Sequence, residues 1–328
     1  MISTGYDSNN STTKTEVIDL ENNNVECKDL DNFPLEIRHA VSANLASMPI
    51  ICGGWLRNAP IDSSDKCFRY MEGEWQHFAT MIDRRYGAAG IVYDNALHIF
   101  GGYDSKESTR LQSSEIINED GNSVEGPQLP ELFHLHAIAS INSTVSIITG
   151  GFQGSNYISD QTWYFNHATQ EFQLGPNLLE GRNSHSSGTI TDQNTKEKLV
   201  IVAGGGSDVY MNSTEILLNG EWVTGKNHIC NIFVHFMYLY LDLAISKLFL
   251  FLKLGPALPY GLFGHSMVEL GENLYTIGGF DGSGYKKEIQ KLACASATCS
   301  WTTLTKQLKV GRNGPVSIPV MDSFCTRN

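Results

Sequence analysis

Residues 96–102 read Ala96-Leu97-His98-Ile99-Phe100-Gly101-Gly102, a short apolar run that ends in two glycines. Such Gly-Gly pairs begin at positions 53, 101, 150, 204 and 278, which gives intervals of 48, 49, 54 and 74 residues. The runs are too short and too evenly interrupted by turn residues to be helices. Because a repeat of about 50 residues built from strands is typical of a β-propeller, the pairs predict that all-β architecture.

Each unit follows one pattern. A first strand leads through a turn such as Asp94-Asn95 into the apolar run, a third strand carries Glu or aromatic residues, and a fourth often carries Trp. The turn composition predicts hairpins between neighbouring strands. Glycine after the second strand permits a positive φ and close backbone approach as the chain leaves the strand.

These marks resemble the kelch-repeat β-propeller family over nearly the whole chain from about Thr15. The resemblance rests on the five Gly-Gly pairs, on tryptophans of the fourth strands and on arginines just before first strands. The matching residues are Trp75, Trp222 and Trp301, with Arg38, Arg85, Arg182 and Arg312. In units two and three the fourth-strand Trp is replaced or shifted, so those copies match less well.

The two ends of the chain complement each other. Residues 314–320 look like a first strand, whereas residues 15–20 and 24–27 look like third and fourth strands. Joined, they predict a sixth blade, and a ring closed in this way has no open sheet edges. We therefore expect a six-bladed propeller over residues 15–328, preceded by a flexible polar tail at 1–14.

Composition and net charge restrict the classes of function that the chain can have. The 328 residues are 41% hydrophobic and 18% charged, which indicates a folded chain. The formal net charge of −12 argues against nucleic acid as a partner, because phosphate binding needs a basic surface. The N-terminal residues show no apolar core of a signal peptide.

Residues 226–255 form a nearly continuous apolar stretch that matches no other part of the chain. A membrane span would place Asp242 and Lys247 in hydrocarbon and would prevent the ring from closing, so no membrane span is expected. A rim loop would expose a large apolar patch. The favoured hypothesis is a retained, in-frame intron, since removal of the stretch shortens the long interval to 44 residues.

Six of the seven cysteines remain when Cys230, inside that stretch, is set aside. Strand positions suggest that Cys52 pairs with Cys67, that Cys294 pairs with Cys299, and that Cys27 pairs with Cys325 across the closing blade. Three such pairs favour an oxidising, extracellular compartment. A cytoplasmic propeller with free thiols is the alternative.

Catalytic chemistry finds little support in the sequence. Four histidines, His39, His136, His185 and His265, occupy the start of first strands, and a residue that recurs once per blade is more often structural than a metal ligand. Gly220–Asn227 nearly matches a phosphate loop, but Asn stands where Ser or Thr is needed. We expect no catalytic residues, metal or cofactor. The alternative is a propeller enzyme, copper-oxidase-like or a hydrolase, that uses the central channel.

The favoured function is a non-catalytic module that binds a protein partner. The family resemblance implies that loops after the Gly-Gly pairs and loops before the first strands share one face. Aromatic and arginine side chains are the usual anchors of interfaces. The predicted face consists of Trp55, Arg57, Arg85, Tyr103, Asp104, Phe152, Gln153, Arg182, Asp208, Phe263, Phe280, Asp281 and Arg312.

Overall fold

The computed structural model describes residues 1–7, 12–21, 27, 30–57, 62–153, 157–191, 198–224, 256–295, 298–321 and 324–325. The described residues form thirty β-strands, and these lie in small sheets with antiparallel pairing. The expected all-β class is therefore confirmed.

Five sheets have four strands each, and in each sheet the strands lie side by side in chain order. Sheet 1 contains Val41–Leu45, Met48–Cys52, Lys66–Met71 and Glu74–Thr80; sheet 2, Ala89–Tyr93, Ala96–Phe100, Ser114–Asn118 and Ser123–Glu125; sheet 3, Ala137–Ser140, Val145–Thr149, Thr162–Asn166 and Glu171–Leu174; sheet 4, Ser186–Thr191, Lys198–Ala203, Thr214–Leu218 and Glu221–Thr224; sheet 5, Ser266–Leu270, Asn273–Ile277, Glu288–Ala295 and Thr298–Gln307.

Sheet 6 combines both ends of the chain, with Val316–Ser317 beside Ile2–Ser3 and Ile2–Ser3 beside Thr15–Glu16. The expectation of a flexible tail at 1–14 is wrong for its described residues, because Ile2–Ser3 supplies the second strand of this sheet. The Met1 ammonium donates a hydrogen bond to the Ile318 carbonyl oxygen at 2.9 Å. The sequence hid this strand because its two residues are followed by Thr4-Gly5 rather than by Gly-Gly.

The first strands of the six sheets contact one another in the order 1, 2, 3, 4, 5, 6, and the first strand of sheet 6 also contacts that of sheet 1. They line a central cavity of about 200 Å³. Buried apolar side chains fill the space between neighbouring sheets: Val41 of sheet 1 clusters with Leu97 of sheet 2, and Ile147 of sheet 3 with Val202 of sheet 4.

Short pairings extend the chain beyond the sheets on one side. We call this side the loop face. The residues after a Gly-Gly pair are joined there either to the residues before a first strand or to the returning part of their own loop. Its short strands are Ile37–Arg38, Trp55–Leu56, Tyr103–Asp104, Thr109–Arg110, Phe133–His134, Phe152–Gln153 and Tyr157–Ile158.

Two of the expected disulfides are present. Cys52 and Cys67 lie opposite each other on neighbouring strands of sheet 1, and Cys27 is bonded to Cys325 across 298 residues of sequence. Cys299 is also disulfide-bonded and lies opposite Cys294, whose side chain falls outside the described residues.

The stretch 226–255 lies outside the described residues as well. Within the described ranges, no helix is both long enough and apolar enough to cross a membrane.

Candidate binding face

The second glycine of each pair joins one sheet to the next. Its backbone N–H donates to a carbonyl oxygen just before the following first strand, at 2.7–2.9 Å, and Gly5 makes the same bond from sheet 6 to sheet 1. The six acceptors therefore occupy equivalent positions. They are Ile37, Arg85, Phe133, Arg182, Leu262 and Arg312.

This register corrects two alignments drawn from the sequence. Arg38 lies one residue after the position shared by Arg85, Arg182 and Arg312. Similarly, His39 lies at the position of Gly264 and Gly314, one residue before that of the other three first-strand histidines. A one-residue offset reverses the side-chain direction on a strand, so neither residue shares the environment of its supposed equivalents.

Arg85, Arg182 and Arg312 are at most 1% exposed, so their assignment to a partner-binding face is wrong. Each pairs with a buried glutamate on the third strand of its own sheet: Arg85 with Glu115, Arg182 with Glu215, and Arg312 with Glu16. A buried guanidinium of this kind is stable only when it is paired and hydrogen-bonded.

Further hydrogen bonds complete these ion pairs. In sheet 4 the Arg182 guanidinium donates to the Gly204 carbonyl oxygen at 2.8 Å, while the Glu215 carboxylate accepts the N–H of Leu179 at 2.8 Å and of Glu180 at 3.3 Å. In sheet 2, Glu115 accepts the N–H of Ile82 at 2.7 Å in the same way. The arginines therefore hold each loop onto its sheet.

Sheets 1, 3 and 5 replace both members of this pair together. Where sheets 2, 4 and 6 have Arg and Glu, the equivalent positions hold an apolar residue opposite an aromatic residue or Gln. The three replacements are Ile37 with Phe68, Phe133 with Trp163, and Leu262 with Gln290. A charge is thus present only where its counter-charge is present.

The histidines of sheets 3, 4 and 5 fill the space between glycine pairs. A Cβ on Gly150 would lie 2.8 Å from the His185 ring, and one on Gly205 would lie 2.8 Å from the His185 Cβ. Burial lowers the pKa of His136 and of His265 to about 3, and that of His185 well below its ordinary value. These rings are neutral packing elements at neutral pH. Among the described residues, no group of three or more His, Cys, Asp or Glu side chains is arranged to hold a metal ion.

Aromatic side chains form an arc on the loop face, which we call the aromatic arc. Four of its members, Trp55, Tyr103, Phe152 and Phe280, directly follow Gly-Gly pairs and belong to the face proposed from the sequence. The structure adds neighbours that the sequence did not assign to the binding face, since their contacts depend on the pairing between sheets. They are Tyr6, Arg38, Tyr86, His134, Tyr210 and Tyr285.

Ring contacts connect the members of the arc. Tyr103 lies 5.5 Å from Tyr86 and 5.5 Å from His134, between ring centroids, and His134 lies 6.2 Å from Phe152. On the other side, Phe280 lies 5.1 Å from Tyr285, whose ring is 5.5 Å from Tyr6. Apart from His134, which is buried, these side chains are partly exposed.

Arg38 contacts two rings of the arc, those of Trp55 and Tyr6. Its guanidinium carbon is 4.4 Å from the Trp55 ring centroid and 5.0 Å from that of Tyr6. Burial lowers its pKa, and the hydroxyls of Tyr6, Tyr285 and Tyr86 oppose this shift. Arg38 therefore contributes a partly desolvated positive charge beside exposed aromatic rings.

The remaining predicted face residues divide into loop-stabilising and exposed side chains. Asp104 is buried and accepts the N–H of Lys106 at 2.8 Å, and Gln153 donates to Gln161 at 3.2 Å. Although burial acts to raise the pKa of Asp281, hydrogen bonds from Lys286 and Ser283 hold it below its usual range. The rest face solvent fully or in part, namely Arg57, Asp208 and Phe263.

Comparison with known proteins places this chain by fold. No family model matches it, and no curated protein matches it in sequence. Among solved structures it is similar to the structure of YjhT, with a TM-score of 0.69 and 11% identity over 92% of this chain and 96% of that one. The likeness shows a shared fold.

Proposed function

We propose that the six sheets form a closed, six-bladed propeller of the kelch type. Support comes from the hydrogen bond that each second glycine donates to the next sheet, which also runs from Gly5 of sheet 6 to Ile37 of sheet 1. The ring of contacts among the first strands points the same way.

We infer that the protein binds a protein partner through its loop face and does not catalyse a reaction. The observation that carries this inference is the aromatic arc around Arg38, because partly exposed aromatic rings and arginine are the typical anchors of interfaces. The buried Arg85 donates to the Gly101 carbonyl oxygen and the buried Arg312 to that of Thr4, so the loops of Tyr103 and Tyr6 are held in place.

An affinity capture with matched variants tests this function. Tyr103→Ala and Phe152→Ala remove rings from the arc, whereas Val124→Ala and Leu174→Ala remove exposed apolar side chains from fourth strands, away from the loop face. The same partner should be retained by the wild type and by both controls, and lost by the arc variants. Equal capture by all five proteins, or capture of nothing by the wild type, contradicts the proposal.

The competing function is an enzyme that uses the central cavity of about 200 Å³, which is lined in part by His39, His136, His185 and His265. Metal analysis of the purified protein separates the two functions. Stoichiometric copper or zinc, lost when His136 and His265 are replaced, favours the enzyme.

An extracellular location agrees with the disulfides Cys52–Cys67 and Cys27–Cys325. Peptide mapping of the protein from its natural source, without reduction, should recover both linked peptides. Free thiols at all four positions would favour a cytoplasmic protein.

A further inference from the structure

The aromatic arc is interrupted at sheet 4. There the residue after the Gly-Gly pair is Gly206 and its cross-strand neighbour is Asn183, where other sheets have a pair such as Tyr103 and Tyr86. Beside this gap lies an open cavity of about 710 Å³, which we call the sheet 4 cavity. It is lined by residues 157–158, 180–181 and 207–213.

Exposed apolar surface is concentrated in this cavity. Tyr157, Val209 and Tyr210 are 64%, 68% and 46% exposed, and all three line it. The Tyr210 ring is held from behind by Phe263 and Phe280, at 6.0 and 5.6 Å between centroids. Clustered exposed apolar side chains bordered by polar groups mark interaction sites.

The charges of the cavity have one sign. Glu180 and Asp208 are the charged residues in its lining, and both are exposed carboxylates. Glu180 accepts a hydrogen bond from Ser213 Oγ at 3.1 Å and lies 3.8 Å from the Arg182 guanidinium. Because Arg182 is already paired with Glu215 at 2.5 Å, its charge does not cancel that of the cavity.

We propose that the sheet 4 cavity binds the side chain of a lysine or arginine on the protein partner. The aliphatic stem of such a side chain packs on Tyr157, Val209 and Tyr210, while its cationic end faces an aromatic ring and the two carboxylates. An acidic side chain would be repelled there. The protein as a whole carries a net charge of −12, which also attracts a basic partner. This inference rests on the proposed protein-binding function.

Peptide selection on the full-length protein tests the proposal. A phage-displayed library of short random peptides is selected on the immobilised wild type, and the enriched peptides are synthesised with Lys, Arg or neutral Gln at each basic position. We expect enrichment of a basic residue, and a loss of about tenfold in affinity when that residue becomes Gln.

Two variants locate the binding. Asp208→Asn removes a charge and Tyr157→Ala removes an exposed ring, so each should weaken the selected peptide about tenfold. The matched controls Asp120→Asn and Leu174→Ala change similarly exposed side chains outside the cavity and should leave affinity unchanged. Unchanged thermal unfolding shows that the variants are folded.

The other outcomes distinguish a failure of the cavity assignment from a failure of the proposed protein-binding function. Peptides that lose affinity for Tyr103→Ala but bind Asp208→Asn and Tyr157→Ala normally overturn the cavity assignment and leave a binding face in place. Failure to select any peptide counts against both. A glycan on Asn212, which lines the cavity within an Asn-Ser-Thr sequence, would also overturn the assignment, because the sugar would occupy the same space.

Discussion

The backbone N–H of Gly151 donates a hydrogen bond of 2.8 Å to the carbonyl oxygen of Arg182, and this bond joins sheet 3 to sheet 4. The close approach depends on both glycines of the pair. A Cβ on Gly150 would lie 2.5 Å from the same carbonyl oxygen, and one on Gly151 would lie 2.8 Å from the His134 carbonyl oxygen. Each pair is therefore a contact between sheets as well as the end of a strand.

Gly150→Ala should lower the free energy of unfolding by about 3 kcal/mol. The φ of +57° disfavours a side chain, and the clash with the Arg182 carbonyl oxygen adds to this strain. Gly73→Ala is the control, because its φ of +92° is also positive but its Cβ would meet nothing within 4 Å; it should cost about 1 kcal/mol. Urea unfolding measures both, and equal losses would contradict an inter-sheet role for Gly150.

Arg182→Leu should destabilise the protein by about 3–5 kcal/mol, because it leaves Glu215 buried without its counter-charge. The double variant Arg182→Leu, Glu215→Gln reproduces the Leu262 and Gln290 pair that sheet 5 has at the equivalent positions, so it should recover at least half of that loss. A double-mutant cycle by urea unfolding gives the coupling energy. Additive losses would mean that the alternation of charged and apolar pairs has no energetic basis.

The sequence revealed the repeat but not the register of its individual positions. The Gly-Gly pairs predicted five second strands because the backbone conformation and close contacts after each strand require glycine. Arg85 and Arg38 both precede a first strand, so the sequence gives them the same role. In the structure Arg85 forms a buried ion pair, whereas Arg38, one residue further along the repeat, contacts aromatic rings. That difference depends on Glu115 and Tyr6, which lie about thirty residues away in sequence from Arg85 and Arg38.

The candidate site was predicted in part for the same reason. Trp55, Tyr103 and Phe280 follow glycine pairs, so position within the repeat located them. Tyr6 was missed because it lies in residues expected to form a tail, and Tyr285 because its place in the arc depends on contacts across sheets. The interruption of the arc beside the sheet 4 cavity was also missed, because it depends on the pairing of Gly206 with Asn183.

Stability should fall as the pH drops below 6.5. In the folded state burial lowers the pKa of His136 and His265 to about 3, whereas both titrate near 6.5 when unfolded. The unfolded state therefore binds more protons between pH 6.5 and pH 3. The free energy of unfolding that comes from keeping these histidines neutral is fully present above pH 6.5. It decreases between pH 6.5 and pH 3 by up to about 1.4 kcal/mol per pH unit for each histidine.

Comparison of variants isolates this contribution from that of the carboxylates. His136→Ala introduces the residue that sheet 2 has at the equivalent position, Ala88; it should lose stability at pH 7 but show a shallower fall between pH 7 and pH 5. The exposed His77→Ala is the control and should keep the wild-type slope. Urea unfolding at several pH values measures the slopes; identical slopes for His136→Ala and wild type would contradict burial of a neutral ring.

The repeat resumes in register immediately after the apolar stretch 226–255. Leu258 donates its N–H to the Asn212 carbonyl oxygen at 2.8 Å, as Leu129 does to Gln112 at 2.8 Å and Leu178 to Asp160 at 2.7 Å. In sheets 2 and 3 this leucine follows the end of the fourth strand by four residues, at Glu125 and Leu174. Sheet 4 ends its fourth strand at Thr224, so removal of 226–255 gives Leu258 the same spacing.

A chain without residues 226–255 should therefore fold with at least the stability of the full chain. Ser114 Oγ and Thr162 Oγ1 donate to the carbonyl oxygens of Pro127 and Pro176, whereas the equivalent Thr214 Oγ1 has no hydrogen-bond partner in the described part of the chain. The shortened connection should supply the Pro256 carbonyl oxygen as that partner. Thr214→Val should then cost about 1 kcal/mol more in the shortened chain than in the full one, measured by urea unfolding.

Reverse-transcription PCR should also find a message that lacks the stretch. If the shortened chain does not fold, and only the long message is present, residues 226–255 belong to the working protein.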